Sequence, residues 1–157
     1  MSKHWRAVVI FWCVVLGWVF WAVPATTAKG GYVGSKVCAD CHPAEFENFS
    51  KYAKKAKSDH SVKIMADKLT PDEVKTCYSC HTTGYGKPGG FKNFQETPEL
   101  GHAGCEVCHG PGADHAEANG DTALIRRKMV MKECEVCHSA DRVKSFNFKP
   151  LLHGGAH

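Results

Sequence analysis

The sequence has few of the large apolar side chains from which a chain of this size usually builds its core. All four tryptophans lie in residues 1–28, and no long apolar run follows that segment. Residues 29–157 are nevertheless long enough for one domain.

A strong charge of either sign is also absent. Lysine and arginine together number 20 against 16 acidic residues, and two of the basic residues, Lys3 and Arg6, belong to the N-terminal segment. A nucleic-acid-binding domain would normally carry a marked basic excess gathered on one face. The sequence therefore predicts no nucleic-acid partner.

Cysteine is abundant, and eight of the nine cysteines stand in four copies of Cys-x-x-Cys-His. This pattern is typical of covalent c-type haem attachment, in which two thiols bond the haem and the adjacent histidine is the proximal iron ligand. It predicts four haem c groups. The covalent residues are Cys38, Cys41, Cys77, Cys80, Cys105, Cys108, Cys134 and Cys137, and the proximal ligands are His42, His81, His109 and His138.

A pair of zinc sites is the alternative, because Cys-x-x-Cys pairs also bind zinc. Zinc does not need a histidine directly after the second cysteine, whereas all four copies have one. The ninth cysteine, Cys13, lies in an apolar run and is interpreted as one more apolar residue. We therefore prefer the haem interpretation.

The N-terminal segment has the order of a secretory signal peptide. Lys3 and Arg6 precede an apolar run over residues 7–23, and small residues at Ala25 and Ala28 offer cleavage positions. The alternative is an uncleaved membrane anchor, since the run is close to the length that spans a bilayer. We predict a signal peptide over residues 1–28, a tetrahaem domain over residues 29–157 and a periplasmic location.

The haem motifs also constrain the fold. Four porphyrins in so short a chain must supply most of the core, so we expect a mainly α protein with short helices, long loops and little or no sheet. Loss of haem should abolish this fold, as metal loss unfolds small metallo-domains. Two helices are predicted, one over residues 44–58 and one that starts at Thr70 with Glu73 completing a capping box. An irregular loop is predicted over residues 82–100, packed over haem by its aromatic side chains.

Histidines outside the motifs are candidates for distal iron ligands. A Gly-Pro-Gly turn after the third motif leads to His115, and the other candidates are His60, His102, His153 and His157. His157 is interpreted as unligated because it ends the chain. His102 either caps the remaining iron, lies next to an iron ligand or is a surface histidine. Which haem each histidine would cap stays open.

The chain resembles the cytochrome c-554 type tetrahaem cytochromes over about residues 32–153. The resemblance rests on residues 32–35, on residues 79–91 (SCHTTGYGKPGGF), on residues 105–115 (CEVCHGPGADH) and on the closing segment from Phe146 to His153. It implies a helical, haem-packed fold and extracytoplasmic electron transfer. It also implies distal ligation by His60, His115 and His153, with the second haem sometimes five-coordinate.

These observations favour an electron carrier over an enzyme, and we assign no catalytic residue. Its partners would be periplasmic or membrane-bound redox proteins of an anaerobic respiratory chain, and it could serve as the cytochrome subunit of a periplasmic oxidoreductase. The alternative is a small-nitrogen-oxide reductase acting at one five-coordinate haem. A weaker third hypothesis is haem stacking between protomers. Lysines 51, 54, 55 and 57 form either a solvated face or a docking surface for an acidic partner.

Overall fold

The computed structural model describes residues 30–139, and the predictions for residues 1–28, His153 and His157 lie outside this range. Within it the chain folds into short helices without a β-strand, which confirms the mainly α prediction. The α-helices are α1 (Ser35–Ala39), α2 (Pro43–Tyr52), α3 (Ser58–Ala66), α4 (Pro71–His81), α5 (Cys105–His109), α6 (Ala113–Glu117) and α7 (Met131–Glu135). Three 3-10 turns cover Lys54–Lys57, Pro98–Leu100 and Thr122–Leu124. None of the helices in the described range has the length and apolar character needed to cross a bilayer.

Helix α4 begins as the sequence predicts. The Thr70 hydroxyl accepts a hydrogen bond from the Glu73 amide, and the Glu73 carboxylate accepts one from the Thr70 amide at 2.8 Å. Pro71 occupies the first helical position, where its missing N–H costs nothing. The capped helix places the second haem motif in its last turns.

The helix predicted over residues 44–58 is wrong in its extent. Helix α2 ends at Tyr52, because Ala53 is extended with ψ of 120° and is buried. A 3-10 turn follows, and Ser58 begins the new helix α3 instead of ending the old one. The break is stabilised by contacts distant in sequence, since buried Ser58 donates its hydroxyl to the His81 carbonyl and accepts from the Ala103 amide, both at 2.8 Å.

The loop over residues 82–100 is irregular, as predicted, but its two ends are tied together. The Thr83 amide donates to the Leu100 carbonyl, and the Phe91 amide donates to the Thr83 carbonyl, both at 2.9 Å. Gly84 has a φ of +72°, and a side chain there would collide with the Tyr32 ring. Three aromatic rings of the loop, those of Tyr85, Phe91 and Phe94, pack edge-on against Tyr78 of α4. The loop therefore packs against the face of α4 that carries Tyr78.

The side-chain core of the described range is small. Its buried apolar residues are Phe49, Ala53, Val62, Phe91, Leu100, Ala103 and Ala113, three of which are alanines. Larger apolar side chains such as Ile64 and Val136 lie exposed, at 56% and 73%. The polypeptide alone therefore buries too little apolar surface to stabilise so many short helices.

Candidate haem-binding site

Each of the four motifs includes a helical turn that brings its two cysteines to one side of the chain. The third motif forms the whole of α5, and the second ends α4. In the first and fourth motifs the histidine amide donates to the carbonyl of the first cysteine, at 2.8 Å in both cases. Cysteines three residues apart on one turn are neighbours in space, as attachment to a single haem requires.

Backbone carbonyls fix the orientation of two proximal histidines. The Nδ1 atom of His81 donates to the Ser58 carbonyl at 3.0 Å, and that of His109 donates to the Arg126 carbonyl at 2.7 Å. A carbonyl oxygen only accepts, so Nδ1 carries the proton in each ring and Nε2 keeps its lone pair. Metal-binding histidines commonly have this arrangement.

The distal candidate His115 is held in the same way. Its Nδ1 atom donates to the Asp121 carbonyl at 2.8 Å, which leaves the lone pair of the ring on Nε2. Asp121 begins the 3-10 turn after α6, and its carboxylate caps that turn by accepting from the Ala123 amide. The local turn therefore sets the direction in which the His115 ring points.

His42 and His115 face each other although they are far apart in sequence. Their rings are nearly parallel, with an interplanar angle of 15° and centroids 6.4 Å apart. Two imidazoles on opposite sides of one metal ion have centroids about 6 Å apart, since each metal–nitrogen bond is about 2 Å and each nitrogen lies about 1 Å from its centroid. The distance between the two rings is thus the one expected if both histidines were ligands of a single iron.

The attachment cysteines of different motifs approach one another in pairs. A hydrogen bond from Cys38 to Cys105 raises the pKa of the Cys38 thiol and lowers that of Cys105 to about 6. Burial, with a hydrogen bond to Cys80, raises the pKa of Cys137 to about 12. These pKa values belong to free thiols, and thioethers do not titrate. The contacts show that the first motif adjoins the third and that the second adjoins the fourth.

His102 is placed differently from the other candidates. Its Nε2 atom lies 3.3 Å from the Ser35 hydroxyl, and its ring packs against Phe49 with centroids 6.3 Å apart. Burial lowers the pKa of His102, and the negative charge of Asp59 opposes this shift. The ring is therefore neutral near pH 7 and its Nε2 faces α1.

The remaining ligand candidates are less constrained. His60 lies exposed on α3, where its neighbour Asp59 forms an ion pair with Lys63 at 2.7 Å. Arg126 donates to the Cys108 carbonyl and pairs with Glu133 at 3.0 Å. It therefore links the third motif to the start of the fourth.

Sequence reasoning missed the residues that orient the histidines. Ser58, Asp121 and Arg126 act through their backbone carbonyls, and no side-chain pattern marks such a role. Glu106 was also missed, because a glutamate in the sequence does not indicate that its carboxylate is buried.

Comparison with known proteins identifies the family of this chain. The family model described as "Cytochrome c554 and c-prime" matches residues 37–110. Cytochrome c-554 of Nitrosomonas europaea is 32% identical over 139 residues, covering 71% of this chain and 59% of the relative. The chain belongs to the cytochrome c-554 family. Membership in this c-type cytochrome family implies covalently bound haem c. The chain spans 59% of the length of that relative, and no solved structure matches significantly.

Replacing His115 tests the facing pair of histidines. We expect His115→Ala to keep every covalent haem but to leave one additional iron high-spin, because the ligand opposite His42 is lost. Electron paramagnetic resonance of the oxidised protein measures this change. His102→Ala is the matched control, and its spin state should equal that of the unmodified protein. An unchanged spectrum for His115→Ala would show that His115 is not an axial ligand.

Proposed function

We propose that this chain is an extracytoplasmic tetrahaem cytochrome c that carries electrons between redox proteins. The facing pair of His42 and His115 is the observation that supports this proposal most directly. An iron held by two histidines has no position left for a substrate. Its chemistry is then one-electron transfer, which the protein tunes through ligation, hydrogen bonding and burial.

The residues that would hold the haems are those of the four motifs. Each pair of cysteines would form thioethers, and the histidine that follows would be the proximal ligand. We propose His60, His115 and His153 as distal ligands, with His115 on the iron of the first motif. When bound, haem c supplies a reversible one-electron couple between ferrous and ferric iron.

The chain's own residues would set the properties of that couple. The hydrogen bonds from His81 and His109 to backbone carbonyls make each imidazole a stronger electron donor. Stronger donation favours the ferric state, and histidine in place of methionine also keeps reduction potentials low. These features support a carrier that works at low potential.

Adjacent attachment sites support electron movement within the molecule. The contacts of Cys38 with Cys105 and of Cys80 with Cys137 join the motifs into two neighbouring pairs. The charge of Cys108 also acts on both Cys134 and Cys137, which brings the third motif near the fourth. This order suits a path along which electrons pass through the domain.

One observation favours the enzyme as a second candidate function. His102 turns its Nε2 toward Ser35, so three proposed distal ligands remain for four irons. The iron of the second motif, on His81, is the one we propose to be five-coordinate. An open iron of this kind could bind a small nitrogen oxide, which is the chemistry of the alternative.

Nitric oxide distinguishes the carrier from the enzyme. We expect the oxidised protein to show one high-spin iron, and the reduced protein to form a nitrosyl adduct that persists without further reaction. Electron paramagnetic resonance detects the adduct, and an electrode follows nitric oxide in the presence of excess reductant. Sustained consumption of nitric oxide would overturn the carrier proposal. Only low-spin signals, with no adduct, would indicate that His102 is the fourth distal ligand and would exclude the enzyme hypothesis.

The proposed partner is an acidic redox protein that binds the lysine patch, defined as Lys51, Lys54, Lys55 and Lys57. Lys51, Lys54 and Lys57 are exposed, at the end of α2 and in the turn that follows. The pKa of His138 is lowered by burial and also by the positive charge of Lys55, which places the patch beside the fourth motif. A positive surface next to a haem edge attracts an anionic partner and raises its association rate.

Charge reversal in the patch tests this docking surface. We expect Lys54→Glu with Lys57→Glu to slow oxidation by hexacyanoferrate(III), an anionic probe, by about tenfold at low salt. Stopped-flow absorbance measures the rate, and added salt should narrow the difference because it screens the charges. The control is Lys75→Glu with Lys92→Glu, which changes the net charge equally near α4. Equal slowing by both variants would show that net charge, and not the patch, controls the rate.

A further inference from the structure

Two of the four haem motifs have the same five residues but lie in different surroundings. Residues 105–109 and residues 134–138 both read Cys-Glu-Val-Cys-His. The glutamate of the first, Glu106, is buried with 3% exposure, whereas Glu135 of the second is exposed. A property that depends on burial of this carboxylate therefore belongs to the third motif and not to the fourth.

Glu106 accepts hydrogen bonds from three backbone amides. One carboxylate oxygen lies 2.7 Å from the Gly112 nitrogen and 3.0 Å from the Val33 nitrogen. The other lies 2.8 Å from the Gly34 nitrogen and 3.2 Å from the Val33 nitrogen. Burial of a charge is costly unless such partners satisfy it, and bonds to an ionised acceptor are the stronger kind. Both oxygens are thus used as acceptors.

The three amides belong to the segments that precede the helices of His42 and His115. Val33 and Gly34 directly precede α1, which carries Cys38 and leads to His42. Gly112 directly precedes α6, which carries His115. The carboxylate therefore holds the start of both helices at one point, from within the third motif.

Two further hydrogen bonds run beside this contact. The Ala113 amide donates to the Gly31 carbonyl at 3.1 Å, and the Gly30 amide donates to the Asp114 carboxylate at 3.0 Å. They align residues 30–34 with residues 112–114. Gly31 and Ala113 are buried like Glu106. Of the groups that join the two segments, Glu106 is the one that belongs to the third motif.

We propose that Glu106 is the positioning residue that keeps His115 opposite His42, so that a carboxylate in the third motif controls the axial ligation of the first. This inference rests on the proposed ligation of one iron by His42 and His115. Glutamine has the same shape but cannot replace Glu106. Whichever way its amide is turned, the NH2 group meets an N–H donor in place of an acceptor.

The test compares Glu106→Gln with Glu135→Gln in the haem-loaded protein. We expect Glu106→Gln to retain all covalent haem but to show an additional high-spin iron in part of the molecules, with a matching extra nitrosyl adduct on reduction. Glu135→Gln should give the spectrum of the unmodified protein. It is the matched control because the pentapeptide and the charge change are identical. His115→Ala provides the reference for complete loss of the distal ligand.

A second variant, Gly112→Ala, tests the same contact if Glu106→Gln does not give haem-loaded protein. A Cβ atom added at Gly112 would lie 3.1 Å from the Glu106 oxygen, and the φ of −101° there is accessible to alanine. Gly112→Ala thus disturbs the same contact while keeping the charge. It should show the same additional high-spin iron.

The outcomes separate this inference from the proposed function. An unmodified spectrum for Glu106→Gln, beside a high-spin iron in His115→Ala, would overturn the role of Glu106 and leave the ligation intact. Equal effects of Glu106→Gln and Glu135→Gln would also overturn it, because charge alone would then explain them. If Glu106→Gln yields no haem-loaded protein, an unmodified spectrum for Gly112→Ala overturns the role. A low-spin His115→Ala would remove the ligation on which the inference rests.

Discussion

The shortage of side-chain core is the constraint on which the rest of this structure depends. Residues 30–139 bury two phenylalanines, one valine, one leucine and three alanines, while Ile64 and Val136 remain exposed. Helices of five residues are far too short to be stable alone. Porphyrins attached at the four motifs would bring the missing apolar surface, and polar contacts of the backbone would fix their positions.

Buried hydroxyl groups supply many of those polar contacts. The segment from Leu100 to Cys105 runs through the centre, and three of its amides each donate to a hydroxyl: Ala103 to Ser58, Gly104 to Thr83 and Cys105 to Ser35. Ser58 also holds His81 of the second motif, and Ser35 lies in α1 with the first. Replacing one of these hydroxyl groups would therefore alter the geometry of more than one motif.

Local chemistry made part of this structure predictable and long-range contacts made the rest unpredictable. The haem motifs and the Thr70 capping box depend on residues within five positions of each other, so the sequence displays them directly. The break at Ala53 and the facing of His42 and His115 depend on segments dozens of residues apart. Glu106 and Glu135 make the limit plain, because identical pentapeptides acquire opposite burial from their surroundings.

If four covalent haems organise this chain, as we propose, they must appear in the intact mass of the purified protein under denaturing conditions. Thioether-bound haem stays attached when the fold is lost, whereas zinc and non-covalent haem dissociate. We expect the mass of the polypeptide plus that of four haems. A polypeptide mass with no added haem, or with fewer than four in the fully loaded protein, would contradict it.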